Sequence, residues 1–143
     1  MPERTATASW RGSLPEGDGT MRLASGAYEG AYSFQSRFEE GDGTNPEELI
    51  AAAHAGCYSM ALSGNLGRAG FDPESVDTEA TVRLEPSGDG FTITAMRLET
   101  DARVPGIEPD QFREVAEATK ETCPVSRALA AVATIEVDAR LAS

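Results

Sequence analysis

Residues 44–71 read TNPEELIAAAHAGCYSMALSGNLGRAGF, and this stretch decides the fold. Asn45 suits a helix N-cap, and Pro46 suits the first helical position, where its missing N–H costs nothing. Glu48 falls three residues after the cap, the spacing of a capping box. From Leu49 to Leu62 there is no Lys, Arg, Asp or Glu. A helix apolar on all sides is expected inside a core. Gly67 or Gly70 supplies the C-terminal stop. Cys57, one of two cysteines in the chain, sits in the middle of this helix.

Working outward toward the N-terminus, residues 5–12 alternate with Ala6, Ala8 and Trp10 on one side, as a half-buried strand does. A turn is expected at 14–19, a second strand at Thr20–Ala24 and a third at Ala31–Phe34, with Gly26–Gly30 breaking between them. A polar loop carrying Arg37 leads into the helix. Toward the C-terminus, Val76–Glu85 and Phe91–Val104 are strand-length runs. Pro86, Ser87, Gly88, Asp89 and Gly90 between them predict a hairpin. From Pro109 or Asp110 to about Thr122, Phe112, Val115, Ala116 and Thr119 share a helix face. Pro124 ends that helix and starts a short one running through Leu129. Ala131–Leu141 alternates Ala133, Ile135, Val137 and Ala139 against polar neighbours, a final strand. Three strands, a long helix, two strands, one or two helices and a strand show no regular strand–helix alternation, so the class is α+β.

The 143 residues fit one domain spanning 1–143 with a real core. A net charge of −12 argues against nucleic acid and anionic membranes as partners. No apolar run approaches the roughly 18 to 20 residues that span a bilayer. The N-terminal MPERTATASW has no hydrophobic signal core. A cytoplasmic protein is expected, and two cysteines in a reducing compartment point to catalysis, redox work or simple packing rather than a structural bridge.

Four residues carry the candidate chemistry: Cys57, Cys123, Arg37 and Glu47. Cys123 precedes Pro124, at the N-cap of the short helix PVSRAL, where free N–H groups favour a thiolate. Cys57 lies three turns into the long helix, where apolar burial raises a thiol pKa, so an outside cation must offset it. Arg37, Arg68 and Arg127 are the candidates, and Glu47 is a plausible orienter for Arg37. Glu47 lies ten residues before Cys57, roughly 15 Å along an ideal helix and about 80° away in facing. The arginine must therefore bridge the two, or the helix must break, near Gly56 for instance. Each residue also has a plainer role. Cys57 fits as small core filling, Glu47 as a charge opposing the helix dipole, and Arg37 as a surface ion pair. His54, one turn before Cys57, either pairs with it or packs the helix. A zinc site has only His54, Cys57 and Cys123 where a structural site takes four ligands. No Gly-rich phosphate loop is present, and a single histidine leaves no Ser-His-Asp pattern.

SRFEEGDGTNPEELIAAAHAGCYSMAL (36–62), AGFDPESVDTEATVRLE (69–85), VPGIEP (104–109) and CPVSRAL (123–129) closely resemble the family of osmotically inducible protein C and the organic hydroperoxide resistance proteins. The position of Arg37 resembles the osmotically inducible branch. The resemblance implies an α+β fold with antiparallel sheets around a long central helix, in an intertwined homodimer with active sites at the interface. It implies a thiol-dependent peroxidase with no metal, haem or flavin. Carried over position by position, it makes Cys57 the peroxidatic thiol and Cys123 the resolving thiol. Arg37 becomes the residue that stabilises the thiolate, and Glu47 the carboxylate that orients it. The implied partners are a hydroperoxide substrate, with the apolar helix suiting an alkyl or lipid tail, and a dithiol reductant, in some members a lipoylated protein. A non-catalytic ligand-binding protein or a redox sensor is the competing expectation.

Overall fold

The computed structural model describes residues 1–132 and 134–142. The chain divides into two compact units, Met1–Leu49 and Ile50–Ser143. The first unit opens with an antiparallel sheet in the order β1 (Ala6–Arg11), β2 (Asp18–Leu23), β3 (Glu29–Ser33). Gly19 pairs with Trp10 on one side and Tyr32 on the other, and their rings meet with centroids 5.3 Å apart. A Cβ at Gly19 would come within 2.8 Å of both rings and 2.5 Å of the Ser9 carbonyl oxygen, so only glycine lets the three strands close up.

Where a polar loop is expected, Phe34–Phe38 forms a helical turn, α1. Ser33 caps it: its hydroxyl accepts from the Ser36 N–H at 3.1 Å, and the Ser36 hydroxyl accepts from the Ser33 N–H at 2.8 Å. A serine in the third position does here what Glu or Gln does in the common capping box. β2 starts at Asp18 and β3 at Glu29, each two residues before its expected start.

Helix α2 (Pro46–Arg68) begins as its sequence dictates. The Asn45 side chain accepts from the Glu48 N–H at 2.7 Å. Glu48 does not return the bond to the cap backbone; its carboxylate accepts from the Thr44 hydroxyl at 2.8 Å. The end is a Schellman motif. Gly70 is left-handed at φ +95°, Phe71 N–H donates to the Leu66 carbonyl at 3.0 Å, and Gly70 N–H donates to the Gly67 carbonyl at 3.0 Å. Gly70 is therefore the stop, and Gly67 is still helical. α2 is unbroken at Gly56, so Cys57 gains no helix N-terminus from its own helix.

In the second unit β4 (Ser75–Ser87), β5 (Gly90–Arg103) and β6 (Thr134–Ala142) form one sheet. The hairpin between β4 and β5 turns at residues 88–89, tighter than expected, because Pro86 and Ser87 pair with Phe91 and Gly90. This sheet is not antiparallel throughout. β6 runs parallel to β5, because α3 (Pro109–Thr122) and α4 (Pro124–Ala128) carry the chain back across. The expected final strand starts earlier, and its Ala133 lies outside the described residues. Val137, Ala139 and Leu141 pack on the core, while Phe112, Ala116 and Thr119 are the buried face of α3.

α2 is not buried all round in this chain. Tyr58, Leu62 and Leu66 are fully buried, each leucine contributing about 2 kcal/mol by removal from water. Ala52, Ala53, Gly56 and Gly64 are exposed, and Met60 is 79% exposed. Polar clasps hold the buried face. Tyr58 hydroxyl donates to the Ala116 carbonyl at 2.8 Å, Asn65 donates to Thr119 at 2.8 Å, and Ser59 donates to Thr78 at 2.7 Å. Among the described residues no helix is long and apolar enough to cross a membrane.

Candidate active site

Two clusters emerge, one in each unit. In the first, Ser36 fixes the approach of α1 to the start of α2. Its hydroxyl donates to the Thr44 carbonyl at 2.7 Å, and its own carbonyl accepts from Asn45 Nδ2 at 2.9 Å. The next residue, Arg37, thereby faces Glu47 in the first turn of α2. The pair is bidentate: Arg37 Nε donates to Glu47 Oε1 at 2.9 Å and Nη2 donates to Oε2 at 3.0 Å. The Glu47 side chain is 11% exposed and that of Arg37 35%, so the carboxylate is buried while the guanidinium keeps an open side. The Arg37 guanidinium also stands 5.1 Å from the centroid of the Phe38 ring.

In the second unit the two sulfurs meet. Cys123 Sγ lies 3.1 Å from Cys57 Sγ, and both thiols are free. Cys123 is fully buried between α3 and α4; Cys57 is half-buried. Burial pushes the Cys57 thiol up. The Val125 N–H, aimed at its sulfur from the first turn of α4, pulls it down, but Cys123 pushes it up again, and the net shift is upward. No cation is among the groups that shift Cys57 within its unit. Burial opposes ionisation of Cys123 as well. There the Ser126 N–H, the Cys57 thiol, the Ser126 hydroxyl and the Val125 N–H outweigh it, and the thiol is lowered. The sulfur makes no close capping hydrogen bond; the free N–H groups of α4 act on it at longer range.

His54 does not pair with Cys57. It is completely buried, and its Nε2 lies 2.7 Å from the hydroxyl of Ser126. Its Nδ1 has no hydrogen-bond partner among the described residues. Burial lowers its pKa, so the ring is neutral. Burial, then the charges of Glu117 and Cys123, push the Tyr58 phenol up, keeping it a hydrogen-bond donor.

The structure thus brings Arg37 to Glu47, and Cys57 to Cys123. Of the other candidate cations, Arg68 is bound to the Asn65 side chain, and Arg127 is exposed in the last turn of α4. Sequence reasoning passed over Ser126 and Val125. The signal for Ser126 lay in its place three residues after Cys123, where a helix N–H turns back toward the cap. Among the described residues no group of three or more His, Cys, Asp or Glu side chains is placed to hold a metal ion.

Comparison with known proteins adds the following. The family model described as OsmC-like protein matches residues 39–138, starting two residues after Arg37. Peroxiredoxin OsmC of Escherichia coli (strain K12) is 47% identical over 130 residues, covering 90% of this chain and 91% of that protein. The organic hydroperoxide resistance protein of Xanthomonas axonopodis pv. citri is 30% identical over 89 residues, covering 62% of this chain and 61% of that one. Among solved structures, the OsmC-like protein from Mycoplasma pneumoniae superposes with a TM-score of 0.75 at 14% identity, covering 99% of both chains. The organic hydroperoxide resistance protein OhrB of Bacillus subtilis gives 0.68 at 23% identity, covering 96% of this chain and 98% of that one. At these identities the superpositions speak for the α+β fold.

Proposed function

Because this chain belongs to the OsmC-like protein family and is an enzyme of the peroxidase type, we propose that it reduces organic hydroperoxides, and hydrogen peroxide, through a Cys57–Cys123 disulfide. The observation that carries the reading is the pair of free sulfurs 3.1 Å apart, joined by relatives named for peroxide and organic hydroperoxide chemistry. The Cys57 thiolate attacks one peroxide oxygen. The O–O bond breaks, Cys57 becomes a sulfenic acid, and the alkoxide takes a proton and leaves as alcohol. Cys123 then attacks the Cys57 sulfur. The S–S bond forms, the S–O bond breaks, and the hydroxide leaves as water with the Cys123 proton. This protects Cys57 from irreversible over-oxidation. An external dithiol, such as a lipoyl group carried on a protein, reopens the bridge by exchange.

Cys57 needs help to ionise, because burial raises its pKa and no cation is among the groups that shift it. In this reading Arg37 supplies the charge. It cannot be neutralised, Glu47 fixes two of its donors, and the remaining donors are free to meet sulfur and peroxide. The leaving oxygen becomes negative, so a fixed cation is worth more in the transition state than before it. The chain works as one OsmC-like domain in a cytoplasmic homodimer with its active sites at the interface. The open face of α2 around Met60 supports this, being apolar and small-sided where a second subunit would cover it. The apolar residues along α2 suit the alkyl tail of the substrate.

The test is steady-state consumption of tert-butyl hydroperoxide and of hydrogen peroxide with dihydrolipoamide as reductant. The proposal expects dithiol-dependent turnover, faster with the alkyl peroxide and absent in Cys57→Ser. Undiminished turnover in Cys57→Ser would overturn it.

A further inference from the structure

His54 is a buried histidine that the peroxidase chemistry above does not use. We propose that its hydrogen bond to Ser126 is a clasp, holding α4 against α2 in the register that opposes Cys123 to Cys57, and that His54 is thereby a positioning residue for closure of the bridge. The inference rests on the reading that these two sulfurs form a disulfide.

Cys57 Sγ lies 3.1 Å from Cys123 Sγ. A second link stands beside it: His54 Nε2 lies 2.7 Å from the Ser126 hydroxyl oxygen. His54 comes three residues before Cys57 on α2, and Ser126 three residues after Cys123. Residues three apart are neighbours on one helix surface. The links therefore lie side by side, with the two segments running in opposite senses past each other. His54 and Cys123 are fully buried, and Ser126 is 4% exposed, so water does not compete for the clasp. One link leaves two segments free to swing about it, and a second fixes their register.

Helix α4 needs such an anchor. It runs only from Pro124 to Ala128, and a helix that short does not hold itself by propagation. Its N-cap is Cys123, which is also the C-cap of α3, so a tilt of α4 at that corner carries the sulfur with it. One turn after His54, Tyr58 ties α2 to α3 through the Ala116 carbonyl at 2.8 Å. His54 does the same for α4. Packing alone does not account for a histidine here. Its Nδ1 is buried with no hydrogen-bond partner among the described residues, a cost that leucine in the same space avoids. What leucine lacks is Nε2, the nitrogen that reaches α4.

The chemical use lies in the closing step. Cys123 attacks the sulfur of the Cys57 sulfenic acid, the S–S bond forms, the S–O bond breaks, and the hydroxide leaves as water with the Cys123 proton. Without the clasp the reduced chain gains freedom to let the sulfurs part. The bridged chain gains none, because the bond itself holds the segments. Loss of the clasp therefore favours the dithiol over the disulfide, as loss of preorganisation does. A hydrogen bond that only supported the fold would stabilise both redox forms alike and leave their ratio unchanged.

The experiment equilibrates the full chain in glutathione buffers of graded ratio, with no peroxide present. Glutathione disulfide takes the electrons of the two thiols and leaves as reduced glutathione. Alkylation and mass spectrometry then read the fraction carrying the Cys57–Cys123 bridge. His54→Leu and Ser126→Ala are each expected to lower the effective concentration of one thiol at the other roughly tenfold, which raises the midpoint potential by about 30 mV. His54→Gln keeps a side-chain N–H near the position of Nε2 and should stay close to the parent. Combining His54→Leu with Ser126→Ala should add little to Ser126→Ala alone, since both remove one hydrogen bond. A Ser126→Ala midpoint superimposing on that of the parent overturns the proposal, as does a His54→Gln midpoint displaced as far as that of Ser126→Ala. These two variants decide the matter even where His54→Leu does not fold. A parent chain that forms no such bridge at any ratio overturns the disulfide reading and the clasp with it. A parent that bridges no more readily than Ser126→Ala overturns the clasp alone.

Discussion

The Arg37–Glu47 pair and the Cys57–Cys123 pair are built by opposite means. The ion pair is local. Ten residues separate its members, the Ser36–Thr44–Asn45 hydrogen bonds hold the turn between them, and the guanidinium keeps a solvent side. The dithiol is long-range. Sixty-six residues separate its members, and it exists only because α2, α3 and α4 share one core. The first region has charge and no nucleophile. The second has nucleophiles in surroundings that raise one thiol and lower the other. The lesson is that a sulfur seated in a hydrophobic core can lie against a second sulfur and still be poorly prepared to ionise.

The sharpest way to break that division is to remove each sulfur in turn. Cys57→Ser should lower peroxide turnover by roughly a thousandfold or more, as loss of a nucleophile does. Cys123→Ser, without added dithiol, should consume about one equivalent of peroxide to reach the Cys57 sulfenic acid and a second, more slowly, as Cys57 advances to sulfinic acid and stalls, read by mass spectrometry. Arg37→Ala should lower kcat/KM for peroxide by about 10²- to 10³-fold. In that variant the rate should climb about tenfold per pH unit through neutrality, because Cys57 returns to the raised pKa of its own unit, whereas the parent levels off at lower pH. Glu47→Gln, which leaves the fork with a neutral partner, should cost about tenfold in the same assay.

Smaller effects test the supporting structure. His54 has a pKa below its ordinary 6.5 in the fold, so the unfolded chain binds its proton first as pH falls. The stabilisation from the neutral ring is complete above 6.5 and is lost as pH falls from there toward the folded value. Thermal unfolding at pH 7 and pH 5 should show a smaller acid loss in His54→Gln than in the parent. Gly70→Ala, at φ +95°, should cost about 1 kcal/mol in denaturant unfolding without altering peroxide chemistry.

Much of α2 was legible because its signals are local: Asn45 and Pro46 at the start, Gly70 at the end, and a run free of charge between. The buried face of α3 was legible from its 3.6-residue period. Helix α1 was not, because its cap uses two serines and its five residues are too few for a period to show. The exposed face around Met60 was misjudged, since composition reports that a helix is apolar and not which sides a single chain covers. The parallel pairing of β6 with β5 depends on the path of α3 and α4, which no strand pattern records. Cys57, Cys123, Arg37 and Glu47 stood out as residue types able to do thiol chemistry, yet the roles proposed for them rest on resemblance. The contact between His54 and Ser126, 72 residues apart, had no local trace at all.

The most direct test of the account adds one equivalent of an alkyl hydroperoxide to the reduced protein, then counts free thiols and maps any crosslink by mass spectrometry. The account predicts that both thiols disappear together within the mixing time, into a single bridge joining Cys57 to Cys123. Two thiols still free after the peroxide has been offered, or a bridge joining other partners, would contradict it.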